Sequence, residues 1–254
     1  MSISVENISF SYTKEREILK NVSFKLKDSE SLFILGPNGT GKTTLLKCIN
    51  HILKPTGGKV FINNKDNALL SSYERAKTIG YVPQYNNNVF SMNVIDTIMM
   101  GRIAFAGHKI KSNDKDIVFE LIERLNLQKF AFKNINQMSG GERQRVFIAR
   151  ALAQEPKVMI LDEPTSSLDL KNQMFTLELI TDLAKKQNLS VIMTIHDLNL
   201  ASLFADNIMI LKDSEVYAYG KPIDILTEEN VKNVYGVDSV VTEEDGFAHI
   251  RLKK

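Results

Sequence analysis

The stretch Gly36-Pro37-Asn38-Gly39-Thr40-Gly41-Lys42-Thr43-Thr44 leaves this chain few folds to choose from. It follows the apolar run Leu32-Phe33-Ile34-Leu35. It precedes Leu45, Leu46, Cys48, Ile49, Ile52 and Leu53, whose spacing is helical as far as Leu53. Strand, glycine loop and helix in this order form the context of a phosphate-binding loop. Glycines let the backbone fold so tightly that successive N–H groups converge on one anion. The helix that opens near Lys42 adds its positive end. Lys42 is placed to reach the outer phosphates of a nucleotide, and the Thr43 hydroxyl to ligate Mg²⁺. A chance glycine-rich turn is the alternative, and the flanking strand and helix disfavour it.

The 254 residues suffice for one large domain, and 43% hydrophobic residues suffice for a sizeable core. The 32 basic and 30 acidic side chains leave a net charge of +2, without the excess expected of a nucleic-acid binder. The single cysteine, Cys48, excludes an internal disulfide framework and reads as a small buried hydrophobe. Met1–Glu6 lacks the basic flank and apolar core of a signal peptide. No apolar run approaches the roughly 18 residues that span a bilayer. A cytosolic protein is expected, meeting any membrane through a partner.

Along the chain, Ile3 and Val5, then Ile8 and Phe10, mark a first alternating strand. Val22, Phe24 and Leu26 mark a second, and Val60 and Ile62 a third. They predict an antiparallel sheet beside the loop-bearing strand. Tyr12 lies between, either as a half-buried loop aromatic or as a ring that stacks on a nucleotide base. Ile79–Val82 reads as a strand ending at Gln84. Residues 91–135 look largely helical, with Ile117, Val118, Leu121, Ile122 and Leu125 on one face. Met92, Met99 and Met100 read equally as core of that lobe or as an adaptable contact surface. Strand–helix alternation resumes with Val158–Leu161, a helical stripe at Leu170, Met174, Leu177 and Ile180, then Val191–Ile195 and Asn207–Leu211. Continuous apolar strands separated by helices imply a mainly parallel sheet covered on both faces. In the tail, a helix over 228–235 precedes two strand-like runs about Asp245-Gly246.

Active groups of such sheets gather at the carboxyl ends of the strands. Gly36, Gln84, Asp162, Glu163 and His196 all follow strand ends. Asp162 can hold Mg²⁺ directly or through water, and Glu163 can polarise a water toward a γ-phosphate. A strand-ending Asp-Glu pair is otherwise an ordinary surface cap. Ser139-Gly140-Gly141-Glu142 is a second glycine turn running into a helix, with the parts of an anion site. Serine followed three residues later by glutamate is equally a capping box.

Taken together the chain resembles an ATP-binding-cassette (ABC) ATPase over nearly its whole length. Gly36–Thr43 is similar to the Walker A loop and Gln84 to the Q-loop glutamine. Met138–Glu142 is similar to the signature sequence, with Met138 and Glu142 where leucine and glutamine are commoner. Val158–Asp162 with Glu163 is similar to Walker B and its catalytic glutamate, Ser167-Leu168-Asp169 to the D-loop, and His196 to the switch histidine. The resemblance implies an α/β P-loop NTPase core of mainly parallel sheet. An antiparallel β subdomain and the loop-bearing part of the core occupy 1–84, a helical subdomain 85–137, the rest of the core 138–220, and a tail 221–254. It implies ATP held by Tyr12 and by Gly36, Pro37, Asn38, Gly39, Thr40, Gly41, Lys42, Thr43 and Thr44. Mg²⁺ falls to Thr43, Gln84 and Asp162, and catalysis to Glu163, His196, Gln84 and Lys42. It further implies a homodimer in which each ATP lies between the P-loop of one copy and Ser139, Gly140, Gly141 and Glu142 of the other, with Asp169 nearby.

Asn93–Arg102 resembles the ATPases of iron-siderophore, haem and cobalamin importers. The short tail leaves no room for the regulatory domain of sugar-importer ATPases. The implied partners are an integral membrane permease and, indirectly, an extracytoplasmic substrate-binding protein, with no nucleic acid. The implied place is the cytoplasmic face of the membrane. Residues 85–135 are expected to dock on the permease, with Arg102 as an exposed rim charge. A soluble ABC ATPase such as the iron–sulfur assembly ATPase is the alternative. DNA-repair relatives are disfavoured by the lack of a heptad run or cysteine cluster, and translation relatives by the single cassette. A P-loop kinase or GTPase leaves Ser139–Glu142 and His196 unexplained, and an exporter half usually carries its membrane helices in the same chain.

Overall fold

A computed structural model describes residues 3–13, 16–84, 91–106, 110–166 and 168–253. The chain opens with β1 (Ile3–Thr13) and β2 (Arg16–Leu26), then β3 (Ser31–Leu35), α1 (Lys42–Ile49), β4 (Gly57–Ile62) and β5 (Lys65–Asp66). Next come α2 (Ser72–Thr78), β6 (Ile79–Val82), α3 (Val94–Met99), α4 (Ile103–Ala106), α5 (Ser112–Arg124) and α6 (Gly140–Leu152). Strands and helices then alternate through β7 (Val158–Leu161), α7 (Leu170–Gln187), β8 (Ser190–Thr194), α8 (Leu198–Phe204) and β9 (Asn207–Lys212). The chain closes with β10 (Glu215–Gly220), α9 (Pro222–Ile225), α10 (Glu228–Tyr235) and the hairpin β11 (Ser239–Glu244) and β12 (Phe247–Leu252).

The strands form a six-stranded sheet, β10-β9-β3-β8-β7-β6, a four-stranded sheet, β2-β1-β4-β5, and the terminal hairpin. The five strands from β9 to β6 run parallel, and β10 is an antiparallel edge. The four-stranded sheet is antiparallel throughout. Alternate residues of the central strands feed two cores. Phe33, Leu35, Met159 and Leu161 join the core that contains residues of α3, α5, α6 and α7. Leu32, Ile34, Val158 and Ile160 join α1 and the antiparallel sheet. All residues of β3 and β7 are buried, which is why they read as unbroken apolar runs. The mixed α/β architecture expected from the sequence is the one observed.

The alternation along β1 changes phase between Val5 and Ile8, yet all four of Ile3, Val5, Ile8 and Phe10 are buried. Asn7 takes up the phase change at φ 50°, beside a register shift. In β2, Asn21 at φ 47° does the same between Leu19 and Val22. The Asn7 N–H donates to Ser23 Oγ at 2.8 Å, and the Asn21 N–H to Ser9 Oγ at 3.1 Å. Each extra residue thus bends its strand without leaving its amide unpaired.

Helix α1 stops at Ile49, short of the expected Leu53. His51 turns left-handed at φ 56°; its N–H bonds Cys48 O at 3.0 Å, and the Ile52 N–H bonds Lys47 O at 2.9 Å. This Schellman closure ends the helix and leaves Ile52 exposed. Leu170, expected on the buried stripe of α7, is exposed at its first turn, while Leu177 and Ile180 are buried. Burial pushes the Cys48 thiol up to about 12, as its reading as a packed hydrophobe requires. Among the described residues, 91–135 are less continuously helical than expected: a 3₁₀ segment, Met100–Arg102, separates α3 from α4, and turns and further 3₁₀ segments follow α5. Among the methionines there, Met99 packs against the core and Met100 is exposed. Among the described residues no helix is long and apolar enough to cross a membrane.

The expectation of an exposed Arg102 is wrong. Its side chain is buried, its Nε donates to Asp114 Oδ1 at 2.9 Å, and its Nη1 donates to Ala153 O and to Glu155 Oε2, each at 2.7 Å. The guanidinium also lies over the Phe105 ring at 4.2 Å. It ties α5 to the end of α6, and Asp114, held by the Lys111 N–H and by Arg102, stays below the usual carboxylate range. Arg102→Glu therefore strands Asp114 and adds a buried like charge. We expect a loss of about 3–5 kcal/mol in urea unfolding, the scale for breaking a buried ion pair from one side. A loss under about 1 kcal/mol, the scale of an exposed pair, would contradict the burial.

Candidate functional site

The loop between β3 and α1 is built from left-handed and close-packed positions. Gly39 and Gly41 have φ of 81° and 98°. Gly36 has no room for a side chain, since a Cβ there would lie 2.2 Å from Leu211 O on β9. Thr40 Oγ1 donates to Pro37 O at 3.0 Å and pins the turn. The buried Lys42 ammonium donates to Gly36 O at 2.6 Å and to Pro37 O at 2.9 Å. Desolvation holds its pKa below the usual lysine value, while the Glu163 and Asp162 carboxylates pull the other way.

Parallel pairing brings the ends of β6, β7 and β8 to this loop. Asp162, immediately after β7, is buried and accepts from Thr43 Oγ1 at 3.1 Å and from Thr194 Oγ1 at 2.8 Å, both on Oδ1. Its own N–H donates to Val82 O at 2.9 Å. Glu163 adopts φ 48°, and its N–H donates to Thr194 Oγ1 at 2.8 Å. The Glu163 carboxylate bridges the site, with Gln84 Nε2 donating to Oε2 at 2.7 Å and His196 Nε2 lying 2.7 Å from Oε1. Gln84, Lys42, Thr43, Asp162, Glu163 and His196 are thus brought together.

Of these, Lys42, Thr43 and Glu163 line a cleft of about 340 Å³, together with Tyr12, Arg16, Ile18, Asn38, Gly39, Gly41 and Thr44. Tyr12 is largely exposed, packs edge-on to Phe10 with centroids 4.8 Å apart, and has its hydroxyl 3.4 Å from Thr44 Oγ1. Its free ring face can receive a planar group. Thr43, Asp162 and Gln84 offer hard oxygen donors, a set that suits Mg²⁺ completed by phosphate oxygens and water. No cluster of three or more His, Cys, Asp or Glu fit to hold a metal is found among the described residues.

The second glycine turn lies elsewhere. Ser139 caps α6: its Oγ accepts the Glu142 N–H at 3.3 Å, and the Glu142 carboxylate accepts the Ser139 N–H at 2.8 Å. These bonds hold Glu142 below the usual carboxylate range. Within one chain the capping box is therefore formed, and neither Ser139, Gly140, Gly141 nor Glu142 lines the cleft. Asp169 caps α7 through the Asn172 N–H at 2.8 Å and is likewise outside it. Ser167 lies outside the described residues.

Four residues at or beside the site, Arg16, Ile18, Thr194 and Tyr235, escaped the sequence reading. Arg16 is one charge in the run Lys14-Glu15-Arg16-Glu17, and nothing in that run marks it as the residue that, at the start of β2, lines the cleft. Thr194 is a hydroxyl within an apolar strand, two residues before His196, a signal that could have been used. Tyr235, on α10, meets the Gly36 backbone, and burial pushes its phenol up to about 12.

The ABC transporter family model matches residues 19–166, more than half of the chain. An uncharacterized ABC transporter ATP-binding protein of Methanocaldococcus jannaschii is 44% identical over 97% of this chain and 96% of its own. The "probable iron chelatin transport ATP-binding protein" of Helicobacter pylori is 39% identical, covering 92% and 93%. Among solved structures, a metal-chelate type ABC transporter in an inward-facing conformation superposes with a TM-score of 0.86 at 33% identity, over 100% of this chain and 98% of that one. A dimeric ATP-binding cassette in a post-hydrolysis state with ADP and Pi gives a TM-score of 0.76 at 31% identity, over 87% and 98%. The P-loop, the strand-end carboxylates and this likeness along the whole chain have one source: the protein belongs to the ABC transporter ATP-binding family, and it is an ATPase.

Proposed function

We propose that two copies of this chain close head to tail around two ATP molecules and drive an importer permease for a metal chelate. One observation carries the catalytic part. The Glu163 carboxylate stands at the mouth of the P-loop cleft, held on both sides by Gln84 and His196. Glu163 is the general base that takes a proton from the attacking water. His196 and Gln84 orient it, and Lys42 releases its loop carbonyls to meet the outer phosphates. Thr43, Asp162 and Gln84 would hold Mg²⁺, which would neutralise charge on the nucleotide's phosphates. The Tyr12 ring takes the adenine.

The dimer follows from the second turn. Ser139-Gly140-Gly141 presents a helix N-terminus yet lines no part of its own chain's cleft. A partner's nucleotide gives it the anion it is built for, and a two-fold arrangement satisfies both copies at once. The dimeric cassette that superposes on this chain supports the arrangement.

The metal-chelate reading rests on the names of similar proteins and on the Asn93–Arg102 segment. The permease meets the outer side of residues 91–135, where Met100, Ile103, Phe119 and Phe132 are exposed. Beside Met100, a cleft of about 410 Å³ is lined by Tyr81, Arg150 and Gln154. Tyr81 Oη and Gln154 Oε1 are buried without a partner, and burial lowers the Arg150 pKa. A cytoplasmic segment of the permease that brings hydrogen-bonding groups would satisfy them. The assembly sits at the cytoplasmic face of the membrane, supplied by an extracytoplasmic binding protein.

Glu163→Gln keeps the shape and removes the basicity. Loss of a general base costs roughly 10²–10⁴ in rate, so ATP should persist and hold a stable dimer in size-exclusion chromatography. Turnover within tenfold of wild type, or a chain that stays monomeric with ATP, would overturn the reading. For docking, Met100→Asp with Ile103→Asp should leave the ATPase of the isolated chain within about twofold. It should abolish stimulation by the reconstituted permease, as removal of a contact anchor does. Equal losses with and without permease would move these residues into the fold, and unchanged uptake would remove the docking surface.

A further inference from the structure

We infer that Thr194 is a positioning residue for ATP hydrolysis, its hydroxyl joining the Mg²⁺ carboxylate to the backbone of the general base. The inference rests on the proposed roles of Asp162 and Glu163. Register places it: Leu161 pairs with Met193, so Asp162, just past the end of β7, lies beside Thr194, the last residue of β8, which still pairs with Ile34. Thr194 is fully buried, and its one hydroxyl makes two bonds of 2.8 Å, donating to Asp162 Oδ1 and accepting from the Glu163 N–H. A hydroxyl has a single proton. Giving it to Asp162 leaves only lone pairs for Glu163, so the direction of both bonds is fixed.

Each bond holds something the site needs. Asp162 is buried, and Oδ1 takes hydroxyls from both Thr43 and Thr194, which fixes the plane of the carboxylate and leaves Oδ2 to face a metal or its water. Glu163 is in the left-handed region at φ 48°, which a residue with a Cβ occupies only when its surroundings hold it there. The bond from its N–H to Thr194 is one such hold. With the backbone so turned, the side chain reaches Gln84 and His196 together. His196 follows the same strand, so β8 supplies both the tether of the base's backbone and a partner of its carboxylate.

Thr194→Val keeps the shape of the side chain, and the pair Thr194→Ala and Thr194→Ser differs only in the hydroxyl, the methyl being lost from both. Outer-shell partners of a metal site typically contribute 10–100-fold. Thr194→Val and Thr194→Ala should therefore lower kcat by about 10–100-fold and raise the Mg²⁺ concentration for half-maximal rate at least about fivefold. KM for ATP should stay within about threefold, and a fluorescent ATP analogue should bind in EDTA within about twofold of wild type, since P-loop contacts are intact. Thr194→Ser should remain within about threefold of wild type in all four. The Ala and Ser variants decide the matter if the valine variant fails to fold. If they are alike in kcat and in Mg²⁺ requirement, or if Thr194→Ala weakens binding in EDTA as much as in Mg²⁺, the assignment is overturned. Glu163→Gln, run in parallel, separates the two failures. If it hydrolyses ATP near the wild-type rate, the roles of Asp162 and Glu163 fall. If it is inactive while the Ala and Ser variants match, only Thr194 falls.

Discussion

The parallel pairing of β9, β3, β8, β7 and β6 is the constraint on which the rest of the molecule depends. Parallel neighbours end on the same edge of a sheet, so residues from four distant parts of the chain must meet there. Gly36 leaves β3, Gln84 follows β6, Asp162 leaves β7 and His196 follows β8. Burial of Asp162 is possible only because donors come with it: two hydroxyls from other segments fall on one oxygen. The Glu163 carboxylate is held in the same manner, by side chains that follow β6 and β8. The sheet register therefore fixes the site to within a hydrogen bond before any ligand arrives.

Much of this was legible because it is local. A glycine loop between a buried strand and a helix, and an Asp-Glu pair closing an apolar run, declare themselves within ten residues. The phase change at Val5 and Ile8 was visible as well, although its cause, a left-handed Asn7, was not. What stayed hidden depends on remote partners. Arg102 looked like a rim charge because nothing near it in sequence shows that Asp114, Glu155 and the Ala153 carbonyl converge on it. Helix α1 ended early because His51 accepted a left-handed φ, which a histidine does not announce. Thr194 reads as an ordinary strand residue, since threonine favours strands whether or not its hydroxyl has work.

Ser139–Glu142 illustrates a different limit. The same residues satisfy a capping box and an anion site, and the chain alone forms the first. A cap of this kind typically contributes about 1 kcal/mol, so these side chains serve the fold of α6 whatever else they meet. Sequence patterns that serve two ends are ambiguous for a physical reason: both ends want a helix N-terminus with free N–H groups.

The bulged pair β1 and β2 has a consequence for how this sheet tolerates change. Side chains in a strand alternate with a period of two, so the number of residues between Val5 and Ile8 decides which way Ile8 and Phe10 face. Two residues, Glu6 and Asn7, stand there where strict alternation would allow one; Asn7 absorbs the extra residue, and Asn21 does the same on β2 between Leu19 and Val22. Composition is nearly irrelevant at these two points, whereas length is not. Removing one residue at either would turn the rest of its strand inside out, while many replacements of Asn by another residue tolerant of left-handed backbone, glycine above all, would leave it standing. Here the chain encodes its fold by counting as much as by chemistry.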